Sequence, residues 1–145
     1  MKIEQFNIKD YHAVINIWEK AGINVGSSDT KEEIEKMLNR NPELFLVGRL
    51  NHNLIAVVLG GYDGRRGYVH HLAVHPDYQN KGYGKKLMDE LMFRFKKMRV
   101  HKIHLFIEKY NRSVINFYKK LGWEKRDDLV MMSFIPDEKL YKWKL

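Results

Sequence analysis

The sequence predicts an α+β domain built in three layers, α/β/α, around a mixed, mostly antiparallel seven-stranded sheet, in the order β-α-α-β-β-β-α-β-α-β-β. Three observations carry that reading. Apolar runs at Glu43–Leu50, Leu54–Tyr62 and Tyr68–Val74 are joined by short polar turns, the signature of consecutive antiparallel strands. Segments on either side repeat apolar residues every three or four positions, as helices do. One helical stretch separates Tyr68–Val74 from the next strand-like run, Lys102–Glu108. A crossover that long joins parallel strands, so strands four and five should be parallel.

Taken in order, Ile3–Ile8 reads as the first strand. Asp10 is placed to cap a helix whose apolar positions are Tyr11, Val14, Ile15 and Trp18, and which stops near Gly22. Asn24–Asp29 is small and polar, hence a loop. Thr30-Lys31-Glu32-Glu33 has the form of a capping box. Ile34, Met37 and Leu38 form the buried stripe of the helix that follows, and Pro42 lies beyond its end. Asn51-His52-Asn53 and Asp63–Gly67 are the two turns of the antiparallel set. After Gly84 the residues Leu87, Leu91, Phe95 and Met98 make a long amphipathic face. Asn111 caps a last helix with Val114, Phe117, Tyr118 and Leu121 inward, and Gly122 ends it. Trp123–Arg126 and Leu129–Ile135 complete the count as strands six and seven. The tail Pro136–Leu145 is basic and partly apolar, suited to packing on the sheet, to a homodimer, or to fraying.

With 145 residues and no linker or repeat, residues 1–145 form one domain. The absence of cysteine excludes disulfides, thiolate metal sites and a cysteine nucleophile. No apolar run reaches membrane-span length and the first residues carry no signal-peptide core, so a cytoplasmic protein without membrane contact is expected. The net charge is +8, and Lys81–Lys102 alone holds eight Lys/Arg against two acidic residues. Such a field draws in anionic ligands. Nucleic acid is one such ligand, but no nucleic-acid-binding motif accompanies the charge.

The sharpest chemical signal is the passage from strand through Gln79-Asn80-Lys81-Gly82-Tyr83-Gly84 into a helix. The free N–H groups and positive dipole end of a helix favour phosphate there, and glycines let its oxygens approach. The loop lacks the third glycine of a dinucleotide fingerprint, where Leu87 stands, and Gly84-Lys85-Lys86 fails the Walker pattern. His70, His71 and His75 are close in sequence, but alternation along a strand puts His70 and His71 on opposite faces, which argues against a metal site.

Val74-His75-Pro76, Gln79-x-x-Gly82-x-Gly84, and then Asn111 with Phe117-Tyr118-x-x-Leu121-Gly122-Trp123, resemble the two signature segments of the GNAT superfamily of acyl-CoA-dependent N-acetyltransferases. There is some likeness to its protein N-terminal and ribosomal-protein branch. The order of elements agrees along nearly the whole chain. The resemblance implies that acetyl-CoA is the donor substrate and that no metal takes part. It places the pyrophosphate on the N–H groups of Asn80, Lys81, Gly82, Tyr83, Gly84 and Lys85, with Gln79 beside them. It places the pantetheine arm along Leu72, Ala73 and Val74, between splayed strands four and five, with Asn111 and Tyr118 in contact. The Leu72 N–H would face the thioester oxygen. Tyr118 takes the position of the general acid that protonates the leaving thiolate.

The family's carboxylate bases fall on Tyr68 and Phe106 here, so a base is expected elsewhere: His70, which shares a face with Tyr68, then Glu108, then a water relay. The acceptor is expected between the N-terminal helices, the Asn24–Asp29 loop and the turn near Asp127-Asp128. The activity implied is acetyl transfer to a primary amine of a small molecule or a peptide. A non-catalytic acyl-CoA sensor and a basic nucleic-acid-binding protein are the readings from other classes.

Overall fold

The computed structural model describes residues 1–141. Its elements are β1 (Lys2–Gln5), α1 (Tyr11–Lys20), α2 (Lys31–Arg40), β2 (Phe45–Leu50), β3 (Asn53–Tyr62), β4 (Gly67–Val74), α3 (Tyr83–Lys97), β5 (Ile103–Leu105) and α4 (Arg112–Lys120). The strands form one five-stranded sheet in the spatial order β1-β2-β3-β4-β5. Its first three pairings are antiparallel, and β4 with β5 is parallel.

Alternation along the strands builds two cores, one on each face. Leu44 and Leu46 of the β2 region and Ala56 and Val58 of β3 pack with Leu87, Met88, Leu91 and Phe95 of α3 and with Tyr118 of α4. Phe45, Val47, Val57 and Leu59 face the other way, onto Val14, Ile17 and Trp18 of α1 and Ile34 of α2. β3 is therefore buried on both sides. Gly60 lets α3 come close: a methyl there would stand 2.8 Å from Leu91 Cδ1 and 2.9 Å from the Leu44 carbonyl.

Local signals are honoured unevenly. Asn111 caps α4, accepting from the Val114 N–H at 3.4 Å, and the Trp123 N–H closes the helix end on the Tyr118 carbonyl, with Gly122 at φ 93°. Thr30 caps α2, accepting from the Glu33 N–H at 3.3 Å, but the Glu33 carboxylate turns outward to Lys36 at 2.7 Å, so only half of the box forms. Asp10 makes no cap bond. Its carboxylate joins Glu4 on the Arg49 guanidinium, and this ion pair ties β1 and β2 to the start of α1. Charge pairing across a half-buried gap wins over a single N–H bond.

The seven-strand expectation fails at the C-terminal side. Among the described residues nothing after Leu105 is strand: Trp123–Arg126 and Leu129–Ile135 are irregular. β5 itself is three residues long instead of the seven expected from Lys102–Glu108, and β1 stops at Gln5 rather than Ile8. The cause lies in β4. Its pairing with β5 covers only Gly67↔Ile103, Tyr68↔His104 and Val69↔Leu105, and a bulge then bends β4 away. A three-residue partner offers too short a template to order two further strands. Of the tail Pro136–Leu145, residues 142–145 lie outside the described residues.

Candidate active site

The bulge shapes the site. Leu59 pairs with His70 and Val57 with Ala73, so His71 and Leu72 together oppose Val58, and His71 sits at φ 50°. One extra residue resets the alternation. His70 and His71 consequently line the same cavity, not opposite faces of a regular strand. The bulge is held from both ends. The Trp18 indole N–H donates to the His71 carbonyl at 2.9 Å, and its ring meets the His71 ring edge-on at 4.8 Å. His71 Nε2 lies 3.1 Å from Asp29 Oδ1. The other carboxylate oxygen of Asp29 accepts from the Gly26 N–H at 2.9 Å, and its backbone carbonyl accepts from the Tyr11 hydroxyl at 2.6 Å.

Asp29 is 7% exposed. Burial alone would raise its pKa, but His71 and the Gly26 N–H outweigh burial and hold it below the usual carboxylate range. His70 moves the other way for an imidazole. Burial, then the neighbouring His71, push its pKa below the ordinary value, so it is neutral at pH 7. The two residues border a cavity of about 590 Å³ whose other walls include Asn24, Glu33, Arg40 and Tyr141. The 24–29 loop and α2, named above for the acceptor side, both line this cavity. Asp127 and Asp128 do not; Asp128 is bound to the Arg126 guanidinium at 2.8 Å, and Tyr141 stands in that wall instead.

Beyond Val69 the β4 backbone separates from β5. The His75 N–H bonds to Ile55 of β3, so the alternate groups of Leu72 and Val74 point into the gap. Ala73 is turned to β3 and buries its methyl group under α1. The Val74 carbonyl accepts from the Gln79 side-chain amide at 2.9 Å, which makes Gln79 the clasp of the loop that follows. His75 stiffens the same loop, its Nδ1 accepting from the Asp77 N–H at 3.1 Å.

At the end of that loop Gly82 is the N-cap of α3, at φ 85° and with no side-chain cap bond. The first bonded amide of the helix is Lys86, to the Gly82 carbonyl, which leaves the N–H groups of Tyr83, Gly84 and Lys85 pointing out of a fifteen-residue helix. A Cβ on Gly82 would meet nothing within 4 Å, so the space before these groups is open. Asn80 is also left-handed, at φ 62°. Lys81 and Lys86 lie over Tyr78 and Tyr83, and Lys85 pairs with Asp89 at 2.7 Å.

α4 closes the far side. Tyr118 is 7% exposed and packed edge-on to Phe117 and Trp123 at 5.1 and 5.6 Å. Burial pushes its phenol pKa far up, so it keeps its proton throughout the physiological range. Phe117 Cζ and Val74 Cγ2 lie 3.5 and 3.6 Å from where a Cβ on Gly84 would be, which brings α4, β4 and the glycine loop to one place. Glu108 is exposed beyond the end of β5 and is not part of the cavity wall. Among the described residues no metal-binding cluster occurs, and no helix is long and apolar enough to cross a membrane.

The Asp29–His71 pair was not legible in the sequence. Forty-two positions separate the two, and only the strand bulge faces His71 toward Asp29. The one local clue is a pair of adjacent histidines where a regular strand would divide them.

The class of protein that this fold defines is an acyl-CoA-dependent N-acetyltransferase. The sequence profile of the acetyltransferase (GNAT) family matches residues 11–123, and the chain belongs to that family. It is 35% identical over 141 residues to an acetyltransferase of Pectobacterium atrosepticum, covering 97% of this chain and all of that one. It is also 35% identical to an acetyltransferase of Yersinia pseudotuberculosis, over 90% of this chain and 93% of the relative. Its fold is that of the PaiA N-acetyltransferase of Thermoplasma acidophilum, solved in complex with coenzyme A, with TM-score 0.79, 22% identity, and coverage of 87% of this chain and 91% of that one. The ribosomal-protein-S18-alanine N-acetyltransferase of Escherichia coli superposes with TM-score 0.70 at 21% identity, covering 83% and 76%.

Proposed function

We propose that this chain moves an acetyl group from acetyl-CoA to a primary amine by direct attack within a ternary complex. The observation that carries the reading is the meeting of three features: the open β4 edge, the bare N-terminus of α3, and a cavity walled by a neutral His70. The pyrophosphate fits the N–H groups from Asn80 to Lys85. The amide chain of pantetheine fits the outward groups of Leu72 and Val74 as an added strand does, with Asn111 and Tyr118 on its other side. The amine nitrogen attacks the thioester carbon, the Leu72 N–H steadies the oxyanion, and the C–S bond breaks. Tyr118 gives its proton to the departing sulfur, and His70 takes one from the amine. The ionised Asp29 beside His71 favours entry of a cationic acceptor.

A thiol-release assay with acetyl-CoA against a panel of amines and peptide N-termini tests the activity. Binding of acetyl-CoA without release across the panel would favour a sensor, and failure to bind coenzyme A would overturn the reading.

Two variants test the parts. Gly82→Ala forces a Cβ into left-handed backbone at a cost of roughly 1 kcal/mol. It also sets a methyl in the open space before the helix N-terminus. Titration should show acetyl-CoA affinity reduced about tenfold, equivalent to about 1.4 kcal/mol.

For His70, kcat/KM should rise with pH and level off, with a midpoint below the ordinary imidazole value of about 6.5. His70→Gln should lower the plateau about 100-fold and remove that limb. A limb that survives the substitution assigns the base to another group. The stability sign follows from the same shift. A folded-state pKa below the unfolded one means that the His70 contribution is complete above pH ~6.5 and is lost as pH falls through the folded value.

A further inference from the structure

The cavity beside His70 and His71 carries charge that does not cancel. Its wall holds two carboxylates, Asp29 and Glu33, and two basic side chains besides the histidines, Lys36 and Arg40. Asp29 is engaged by His71 at 3.1 Å, and Glu33 by Lys36 at 2.7 Å. Arg40 has no acidic partner among the described residues, so its guanidinium is the charge left over. The side chain is exposed, but the place it starts from is fixed. The next residue, Asn41, is buried, and its side-chain carbonyl accepts from the Tyr62 N–H at 2.9 Å, which ties the end of α2 to the end of β3. One turn back on α2, Met37 packs over Gly61, the partner of Tyr68 in the sheet. This end of α2 therefore stands level with Tyr68, two residues along β4 from His70, or about 7 Å at the rise of a strand.

We propose that the acceptor is a free amino acid with an apolar side chain, its carboxylate held by Arg40 and its amine presented at His70. The inference rests on the acetyl transfer proposed above and names the substrate class of the same cavity. A guanidinium offers paired N–H donors in one plane, which match the two oxygens of a carboxylate. An arginine side chain spans most of the way from the end of α2 back toward His70. What remains is the few bonds that separate amine from carboxylate on one small molecule. A polyamine brings Arg40 a second cation instead of an anion, and a peptide N-terminus carries an amide where the carboxylate is needed. Val25, Ile34, Met37 and Leu59 supply the apolar part of the wall, and about 590 Å³ has room for a leucine or phenylalanine side chain against it. An acceptor that enters as its ammonium first gives one proton to solvent. The nitrogen then bonds to the acetyl carbon as the C–S bond breaks. Sulfur takes the Tyr118 proton, His70 takes one from nitrogen, and the products are an N-acetyl amino acid and coenzyme A.

Thiol release from acetyl-CoA is measured with leucine and phenylalanine and with the amines left when their carboxylates are removed, isoamylamine and phenethylamine. Each amino acid should show a kcat/KM about 50-fold above that of its amine, the range expected of a charged hydrogen-bond partner. Arg40→Gln should bring the two values of each pair together, with the loss for the amino acid carried by KM. Arg40→Lys, which keeps the charge without the planar fork, should recover part of the ratio. The side chain is exposed, so both variants should melt with the parent. Preference for isoamylamine, for spermidine or for a peptide N-terminus overturns the proposal and leaves acetyl transfer standing, as does a ratio that survives Arg40→Gln. Absence of release with every amino acid, amine and peptide tried overturns the acetyl-transfer reading, and this inference with it.

Discussion

Tyr118→Phe should lower kcat by about 100-fold while acetyl-CoA affinity and melting temperature stay near those of the parent, because it removes one proton and almost nothing else. The ring contacts with Phe117 and Trp123 survive in phenylalanine, and the Tyr118 hydroxyl donates no hydrogen bond among the described residues. What is lost is the acid. A thiolate leaving without a proton must be expelled against its own basicity, and burial ensures that the phenol always holds the proton it is to give. The same burial makes the phenol a reluctant acid until negative charge develops on the sulfur. The effect should therefore fall on kcat, and acetyl-CoA binding measured by calorimetry should not move. Equal turnover by Tyr118→Phe on any accepted amine would reduce the tyrosine to a packing residue.

Trp18→Ala should be the most destabilising single change, by about 3–5 kcal/mol. Out of a typical total of about 5–15 kcal/mol, that leaves the fold marginal. Trp18 is 0% exposed, stacks with Phe45 at 6.5 Å and fills the core between α1 and the sheet. Trp18→Phe separates volume from hydrogen bonding. It keeps an aromatic ring but leaves the His71 carbonyl without its donor, at about 1–3 kcal/mol. Urea unfolding read against kcat/KM should show the phenylalanine variant losing more activity than its modest loss of stability explains. Kinetics like those of the parent would mean that the bulge stands without the indole.

Much of the candidate donor half could be proposed from the sequence because its chemistry is local. Gln79, Gly82 and Gly84 lie within six residues and read as a phosphate loop from their own chemistry, while Asn111 and Tyr118, at the two ends of one helix, entered through the resemblance to the family. Strand order was legible through β4 for the same reason: short turns leave little choice. The acceptor half was not, because it depends on a break in periodicity. Reading Tyr68–Val74 as a regular strand sends His71 to the wrong face, and nothing in the residues themselves announces the left-handed turn at His71. The last two strands were misread for a different reason. Leu129–Ile135 has the composition of a strand, but composition supplies no pairing partner, and among the described residues the run has none.

The parting of β4 from β5 has a consequence for the life of the protein as well as for its chemistry. On the proposal that acetyl-CoA lies along the free edge of β4, binding would add to the stability of the sheet. Any molecule that binds the native state alone stabilises it by mass action, by about 2.7 kcal/mol at a hundredfold excess over its dissociation constant. On the reading proposed for the gap, survival of this chain against unfolding and proteolysis rises and falls with the acetyl-CoA pool. The catalyst would be best preserved when acetyl groups are plentiful and most readily cleared when they are scarce.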